Sequence, residues 1–355
     1  MAATSKELTR ESGTELLRIL LMLMIITHHL IVHGAKLELL GSNSFSIDSR
    51  TNFYLFLNSF FVIGVDGFIF ISGFYGINYK LKGLVNIILQ VVFYSLVLLV
   101  LSKFVTHSHI GVRALMSNVF PIMTGRWWFI TAYIFLYIFS PILNAAIAQL
   151  SKQKFGFIII AWTVMICVSG FVFDPSVLGV HNGYSLNSML YIYLLGRYIN
   201  KYVNTTKIEA NAVYSYIFFS LIIFACAFLS LKYAGQVLAW KVFAYNNPLI
   251  LLSSILFFFI FKRMKFRSAA VNTIAVGVLG VYLLHSNSFT AGYIYRVAFV
   301  SIQHFNIIVH FMLMILLACI VFSVCLAVEY LRAKLFKPVA ELITQSLERR
   351  FSLEG

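Results

Sequence analysis

Residues 14–33 read TELLRILLMLMIITHHLIVH, an apolar run with one Arg near its start and three His near its end. A run of about 20 residues makes a helix about 30 Å long, which matches the hydrocarbon core of a bilayer. Other long apolar runs follow it along the chain. This stretch therefore predicts a membrane-spanning first helix and sets the expected fold class.

The composition of the 355-residue chain agrees with a membrane protein. Hydrophobic residues make up 61% of it and charged residues only 11%, with a mean hydropathy of +0.90. Soluble domains carry about a quarter charged residues. The net charge of +15 is better explained by basic cytoplasmic loops than by nucleic-acid binding. The four Cys lie in apolar runs without zinc-binding spacing, so no disulfide framework and no metal site are expected.

The apolar runs predict an all-α integral membrane protein, a bundle of about ten transmembrane helices. The predicted spans are 14–33, 52–77, 84–106, 127–150, 155–173, 184–200, 211–231, 242–261, 271–292 and 306–331. With the N-terminus inside, roughly two thirds of the 27 Lys and Arg residues fall in cytoplasmic pieces, which predicts that both termini are cytoplasmic. Residues 1–335 would form the transmembrane domain, and residues 336–355 a short cytoplasmic tail.

Three charged or titratable residues inside these spans suggest function, because such groups are costly in a bilayer. Arg18 and His29 share one helix face and lie about 16 Å apart along the axis. Arg18 would sit near the cytoplasmic surface, and His29 in the middle or outer half of the membrane. Asp66 is a buried carboxylate that needs a partner, and His29 or another His is a natural one. Simpler interpretations are a snorkelling Arg18 and a His29 that only bonds a neighbouring helix.

Two lysines follow the second span. Lys80 and Lys82 are interpreted either as cytoplasmic anchors or, together with Arg18, as residues that receive a phosphorylated ligand.

Aromatic residues open the fourth span. Trp127, Trp128 and Tyr133 fit an interfacial belt, and they also fit a platform on which a sugar could stack. His285 belongs to a polar patch within the ninth span and is either a packing residue or a substrate contact. The sequence has no P-loop, GxGxxG, HExxH or GxSxG motif. It therefore gives no sign of an ATP-driven pump, a dinucleotide enzyme, a zinc protease or a serine hydrolase.

The pattern of these residues resembles the acyltransferase 3 family, integral-membrane and mostly bacterial enzymes that modify surface sugars. The resemblance rests on Arg18 and His29 at their spacing, on VDGFIFISGF at residues 65–74, and on WWF at 127–129 and YLLH at 282–285. It covers about residues 10–335. One departure is the Lys80-Leu-Lys82 sequence, where family members often carry Arg-x-x-Arg.

The resemblance implies transfer of an acyl group, usually acetyl, from cytoplasmic acyl-CoA to a glycan hydroxyl in the bacterial cytoplasmic membrane. Arg18, Lys80 and Lys82 would hold the donor phosphates. His29 would act as general base or acyl carrier, with Asp66 orienting it. Side chains considered for oxyanion stabilisation are Ser72, Tyr75, His285 and Asn287. No metal is implied, and the expected partners are the bilayer and the glycan acceptor, without nucleic acid.

A proton-coupled secondary transporter or glycan flippase is the alternative function. It would use the same His, Asp and Arg residues as a proton relay and substrate site.

Overall fold

The computed structural model describes residues 11–40, 42, 47–107 and 110–351, and the regular structure there is helical. A helix satisfies its backbone N–H and C=O groups within one segment, as an apolar run in lipid requires. The helices are α1 (Ser12–His29), α2 (Thr51–Phe61), α3 (Gly64–Tyr75), α4 (Leu81–Thr106), α5 (Val112–Val119), α6 (Trp128–Gln149), α7 (Lys152–Thr163), α8 (Leu186–Tyr202), α9 (Thr206–Tyr233), α10 (Gln236–Lys241), α11 (Pro248–Lys262), α12 (Ala269–Val276), α13 (Val278–His285), α14 (Ser288–Ala291), α15 (Phe299–Ile302) and α16 (Ile307–Phe351). Three π-helical segments extend α1, α7 and α14, namely Leu30–Gly34, Val164–Phe173 and Gly292–Ala298.

The helix lengths confirm the membrane class but not the predicted number of spans. In the described part of the chain, 7 helical segments are long and apolar enough to cross a membrane, and one bent pair would make 8. The predicted spans 184–200 and 242–261 correspond to α8 and α11, which have only 17 and 15 residues. Ten spans and cytoplasmic termini are therefore not confirmed. The parts of the predicted domain and tail at residues 1–10 and 352–355 lie outside the described residues.

Helix α1 lies at the centre of the bundle. It packs against α3, α11, α12, α13 and α16. Its polar side chains consequently face protein and internal cavities rather than lipid alone, as expected for functional groups in a membrane.

Helices α3 and α8 cross at a contact between small residues. A Cβ atom on Gly73 would lie 2.5 Å from the Tyr193 carbonyl oxygen, and one on Gly196 would lie 2.7 Å from the Phe74 nitrogen. Only hydrogen fits at either position, so the two backbones meet directly, as is common in membrane bundles. This crossing places the C-terminal turn of α8 against the end of α3.

The predicted span 271–292 is broken in the structure. Helix α13 ends at His285, and Asn287 then caps α14 by accepting a 3.0 Å hydrogen bond from the Phe289 nitrogen. The helical pieces on the two sides of the break are bent by 73°. The break leaves His285 on the last turn of α13, beside the end of α1.

The last helix, α16, runs for 45 residues, or about 68 Å, and continues through the predicted boundary at residue 335. It packs on α13 where a Cβ on Gly280 would lie 2.4 Å from Glu329 Oε2. That carboxylate is fixed by Tyr94 Oη at 2.7 Å and by two nitrogens of Arg332 at 2.8 and 2.7 Å. A buried ion pair with every oxygen occupied thus joins α4, α13 and α16.

Candidate active site

The ends of α1 and α13 bring two histidines together that lie 256 residues apart in sequence. His29 Nδ1 is 3.2 Å from His285 Nε2, and His285 Nδ1 is 2.7 Å from the carbonyl oxygen of Val281. His285 is fully buried, whereas His29 is half-buried and reaches a cavity.

The hydrogen bonds define the tautomers of this pair. A carbonyl oxygen only accepts, so His285 Nδ1 carries a proton and donates it to Val281. In the neutral imidazole, His285 Nε2 is then the acceptor, and His29 Nδ1 must donate to it. The remaining nitrogen, His29 Nε2, is left with a lone pair. The network therefore presents a proton acceptor at the His29 ring.

The cavity beside His29 is large and is lined in part by polar side chains. Its volume is about 810 Å³, and its lining includes His33, Lys36, Glu38, Ser286, Tyr295 and Arg296. His33 Nδ1 lies 2.5 Å from Glu38 Oε2, and the ring of Tyr295 is 5.6 Å from that of His33. Such a mixture of charged, hydroxyl and aromatic groups suits a hydroxyl-rich ligand. We call this space the histidine cavity.

A second, narrower cavity of about 260 Å³ begins at Arg18 and is otherwise mostly apolar. Arg18, Met22 and Ile25 line it from α1, and Tyr282 lines it from α13. These α1 positions form one stripe, and His29 is the next residue on that stripe. The Arg18 cavity therefore points along α1 toward the histidine pair. The rings of Tyr282 and His285 lie 5.9 Å apart.

Arg18 is paired within its own helix. Its Nη1 atom lies 2.5 Å from Glu15 Oε1, and its side chain is 28% exposed. Glu15 was not predicted as the partner of Arg18, although the three-residue spacing on a helix indicates such a pair. The ion pair offsets part of the cost of holding Arg18 in the bundle and leaves other guanidinium nitrogens directed elsewhere.

No hydrogen bond joins Asp66 to His29 in the described part of the chain, contrary to the expected pairing. The hydrogen bond from His29 Nδ1 goes instead to His285. Asp66 is buried at 2% exposure, and its Oδ2 atom has no hydrogen-bond partner among the described residues. The neighbouring His28 is bound to Asn58, with Nδ1 2.6 Å from Oδ1. The catalytic role of Asp66 stays a prediction, and it would not act as the direct orienting group.

The two lysines after the second span lie at the surface, away from the lining of the Arg18 cavity. The backbone nitrogen of Lys80 donates to Tyr137 Oη at 3.0 Å, which fixes the loop but leaves its ammonium group free to move. Lys82 Nζ is 3.7 Å from Glu341 Oε1, in a pair exposed on both sides. Their contact with a phosphorylated donor stays a prediction.

The three aromatic residues of the predicted sugar platform lie in different parts of the structure. Trp127 is buried beneath Arg126, whose guanidinium carbon is 5.5 Å from the ring centre. Trp128 packs on Tyr184 at 4.8 Å, and Tyr133 lines the Arg18 cavity. None of the three predicted aromatics lines the histidine cavity, so their substrate contacts also stay predictions.

A metal-binding group of at least three His, Cys, Asp or Glu side chains does not occur within the described ranges.

A comparison of the sequence with known protein families identifies one match. The model of an acyltransferase domain, the acyltransferase 3 family, matches residues 12–330. No curated protein and no solved structure is significantly similar to the chain. The family match covers most of the chain, including α1 to α15 and the larger part of α16. The chain therefore belongs to this family of acyltransferases.

Proposed function

We propose that this membrane acyltransferase moves an acyl group, acetyl as the favoured case, from acyl-CoA to a hydroxyl of a cell-surface or lipid-linked glycan. The observation that carries the proposal is the hydrogen-bonded chain from His29 through His285 to the Val281 carbonyl. This hydrogen-bonded chain supports a base whose lone pair is defined and which lies at the edge of the histidine cavity. Family membership supports the acyl transfer itself.

The proposed reaction is direct transfer with His29 as general base. Its Nε2 atom takes the proton of the acceptor hydroxyl while that oxygen attacks the thioester carbonyl carbon. The carbon–sulfur bond breaks, and the protonated imidazole returns the proton to the departing thiolate. During this step His29 carries a positive charge, which its Nδ1–H bond to His285 stabilises.

The two cavities support separate entry of donor and acceptor. The narrow Arg18 cavity suits an extended thioester arm, with the guanidinium of Arg18 near the donor phosphates. The wide histidine cavity suits a sugar, because it offers charged and hydroxyl groups around His29. In this arrangement Lys80 and Lys82 belong to the donor side, which we take as cytoplasmic in a bacterial inner membrane.

A donor is also needed for the oxyanion formed at the thioester carbonyl. Asn287 fits this role best among the four side chains considered from sequence. Its Nδ2 group is buried without a hydrogen-bond partner among the described residues, and its Oδ1 is already used by the Phe289 nitrogen. Both nitrogens of His285 are occupied, and Ser72 and Tyr75 hydrogen bond near the other end of the bundle.

One observation favours a different function for the same residues. The helix carrying His285 is broken and bent by 73°, and broken helices frequently form the substrate sites of transporters. A proton-coupled transporter or flippase would use His29 and His285 as a proton relay without consuming a thioester.

The proposal can be tested by acyl transfer in membranes. Membranes with the wild-type protein would receive radiolabelled acetyl-CoA, and label in the glycan fraction would be measured. The His29→Ala variant should lose transfer by about 100-fold or more, because it lacks the base. Arg18→Ala should weaken use of the donor, with activity recovering at high acetyl-CoA concentration.

The matched control is His28→Ala, since His28 is the adjacent histidine and is bound to Asn58 outside the histidine pair. This variant should keep transfer wherever it is expressed at the wild-type level. Equal label with wild type and His29→Ala would refute the base. No label with acetyl- or succinyl-CoA, together with movement of glycan across the membrane, would favour the transporter. Label retained on His29 itself would indicate an acyl-enzyme route.

A further inference from the structure

The guanidinium of Arg197 is a positive charge without a partner in the described structure. Arg197 lies one turn before the last turn of α8 and is half-buried. Its Nε atom is buried without any hydrogen-bond partner, and no hydrogen bond or ion pair joins the guanidinium to a described residue. A cation that is partly removed from water gains from an anionic partner, because its desolvation is costly.

Three other basic residues in the bundle have carboxylate partners. Arg18 is paired with Glu15 and Arg332 with Glu329, and Lys262 makes a short contact with Glu209. Arg126 also has an unpartnered Nε atom, but its Nη1 donates to Ser117 Oγ at 3.4 Å and its guanidinium lies over the ring of Trp127. The guanidinium of Arg197 has no such contact among the described residues, so it is open to an anion from outside these helices.

The position of Arg197 is built by glycines. The Gly73–Gly196 crossing described above holds α8 against α3. The guanidinium then lies over Gly76, where a Cβ atom would be 2.9 Å from Arg197 Nη1. Gly76 has a φ of +78°, which a residue with a side chain adopts with strain. A side chain at position 76 would therefore both collide with the guanidinium and strain the backbone.

The loop after Gly76 is rigidly held. Tyr193 Oη accepts from the Ile77 nitrogen at 3.2 Å and donates to Asn144 Oδ1 at 2.7 Å. Asn144 in turn donates to the Ile77 carbonyl at 3.0 Å. These bonds fix the backbone under the guanidinium and on the way to Lys80. The polar groups that make these hydrogen bonds all have partners, whereas the guanidinium of Arg197 has none among the described residues.

Arg197 also lies at the same end of the bundle as Arg18. Tyr75, next to Gly76, hydrogen bonds to Thr14 with 2.9 Å between their hydroxyl oxygens. Thr14 is one helical turn before Arg18, so it lies on nearly the same face of α1. The hydroxyl pair links the Gly76 loop to the end of α1 from which the Arg18 cavity starts.

We propose that Arg197, seated over Gly76, binds a phosphate group of the acyl donor's nucleotide at the entrance to the Arg18 cavity. The inference rests on the proposed function, since the donor is taken to be acyl-CoA. A guanidinium offers paired N–H donors that match phosphate oxygens, which an ammonium group does not. Lys80, three residues beyond Ile77 on the clamped loop, would add a mobile positive charge.

A phospholipid headgroup carries the same phosphate chemistry, so the test must separate the two sources. Full-length protein would be purified in nanodiscs of phosphatidylcholine, and binding of CoA and of pantetheine, which lacks the nucleotide and its phosphates, would be measured. Arg197→Gln should bind CoA about tenfold or more weakly than wild type. It should bind pantetheine as wild type does. Arg197→Lys should lie between the two proteins for CoA.

Matched controls come from the same helix and the same backbone conformation. Lys201→Gln removes a charge one turn further along α8, where Lys201 Nζ contacts the Ile147 carbonyl at 3.2 Å. This variant should bind CoA normally. Gly76→Ala should weaken CoA binding, whereas Gly235→Ala, also at positive φ but with open space around its Cβ, should not. The glycine pair keeps the test informative if an Arg197 variant folds poorly.

The possible failures can be told apart. Wild-type protein that binds no CoA would refute the proposed donor, and the role of Arg197 with it. Unchanged CoA binding by Arg197→Gln, beside a wild type that binds, would refute the inference alone. The inference would also be refuted if Arg197→Gln bound CoA normally but was no longer stabilised against heat by phosphatidylglycerol. Arg197 would then hold a lipid phosphate.

Discussion

Replacing His285 by leucine removes the acceptor of the His29 Nδ1 proton. In the proposed transition state this hydrogen bond joins a charged imidazole, and such bonds contribute about 1.5–3 kcal/mol. Each 1.4 kcal/mol changes a rate by about tenfold, so kcat should fall by about 10- to 100-fold. The KM for acyl-CoA should stay constant, because His285 does not line the Arg18 cavity.

The assay is release of free CoA thiol by purified protein in nanodiscs with a glycan acceptor. His285→Gln should restore most of the activity, since its amide oxygen can accept from His29 and its N–H can reach the Val281 carbonyl. The matched control is His310→Leu. His310 is also buried and bonded to Tyr54 Oη at 3.1 Å and to the Ile302 carbonyl at 3.0 Å.

His310→Leu should lower thermal stability without lowering kcat of the folded fraction. An unchanged kcat in His285→Leu would refute the role of the histidine pair. An equal loss in both leucine variants at equal folding would also refute it, because the effect would then reflect core disruption.

Three further predictions concern stability and the acceptor side. Gly280→Ala should destabilise the protein by about 1–3 kcal/mol in thermal unfolding, because its Cβ would lie 2.4 Å from the fixed carboxylate of Glu329; an unchanged melting temperature would contradict this packing. Glu38→Gln should change stability by less than about 1 kcal/mol, since the pair with His33 is exposed. It should nevertheless raise the KM for the acceptor and leave CoA binding unchanged. Weaker CoA binding would contradict the assignment of Glu38 to the acceptor cavity. Lys82→Gln should leave stability unchanged, because its 3.7 Å ion pair is exposed; a large loss would contradict a surface role.

The sequence predicted the helices where apolar length alone decides. The predicted span 14–33 coincides closely with the helical segment Ser12–Gly34. The stripe of Arg18 and His29 follows from helix periodicity, and the structure lines it with a cavity that begins at Arg18. Local regularity was sufficient for these features, since they need no knowledge of neighbouring helices.

Contacts between segments that lie far apart in the sequence were not predicted. The partner of His29 lies 256 residues away, and nothing in residue spacing distinguishes His285 from Asp66 as that partner. The expected span 242–261 begins too early, because Asn247 caps a helix that starts only at Pro248. The break at Ser286–Asn287 was visible as a polar patch, but its 73° bend depends on packing against the rest of the bundle.

Arg197 is a similar case. In the sequence it is one of many basic residues at the end of a predicted span. Its lack of a carboxylate partner emerges only when α8 is packed on α3 and the guanidinium is seated over Gly76. Close crossings between glycines are set by tertiary structure and cannot be assigned to partners from one sequence.

In the proposed mechanism, His29 serves as the base in acyl transfer. The most direct test compares CoA thiol release by wild type and His29→Gln in nanodiscs, with acetyl-CoA and acceptor both saturating. If His29 is the base, kcat falls by about 100-fold or more, and His29→Gln binds CoA as wild type does. A His29→Gln variant that binds CoA and releases thiol at the wild-type rate would contradict it.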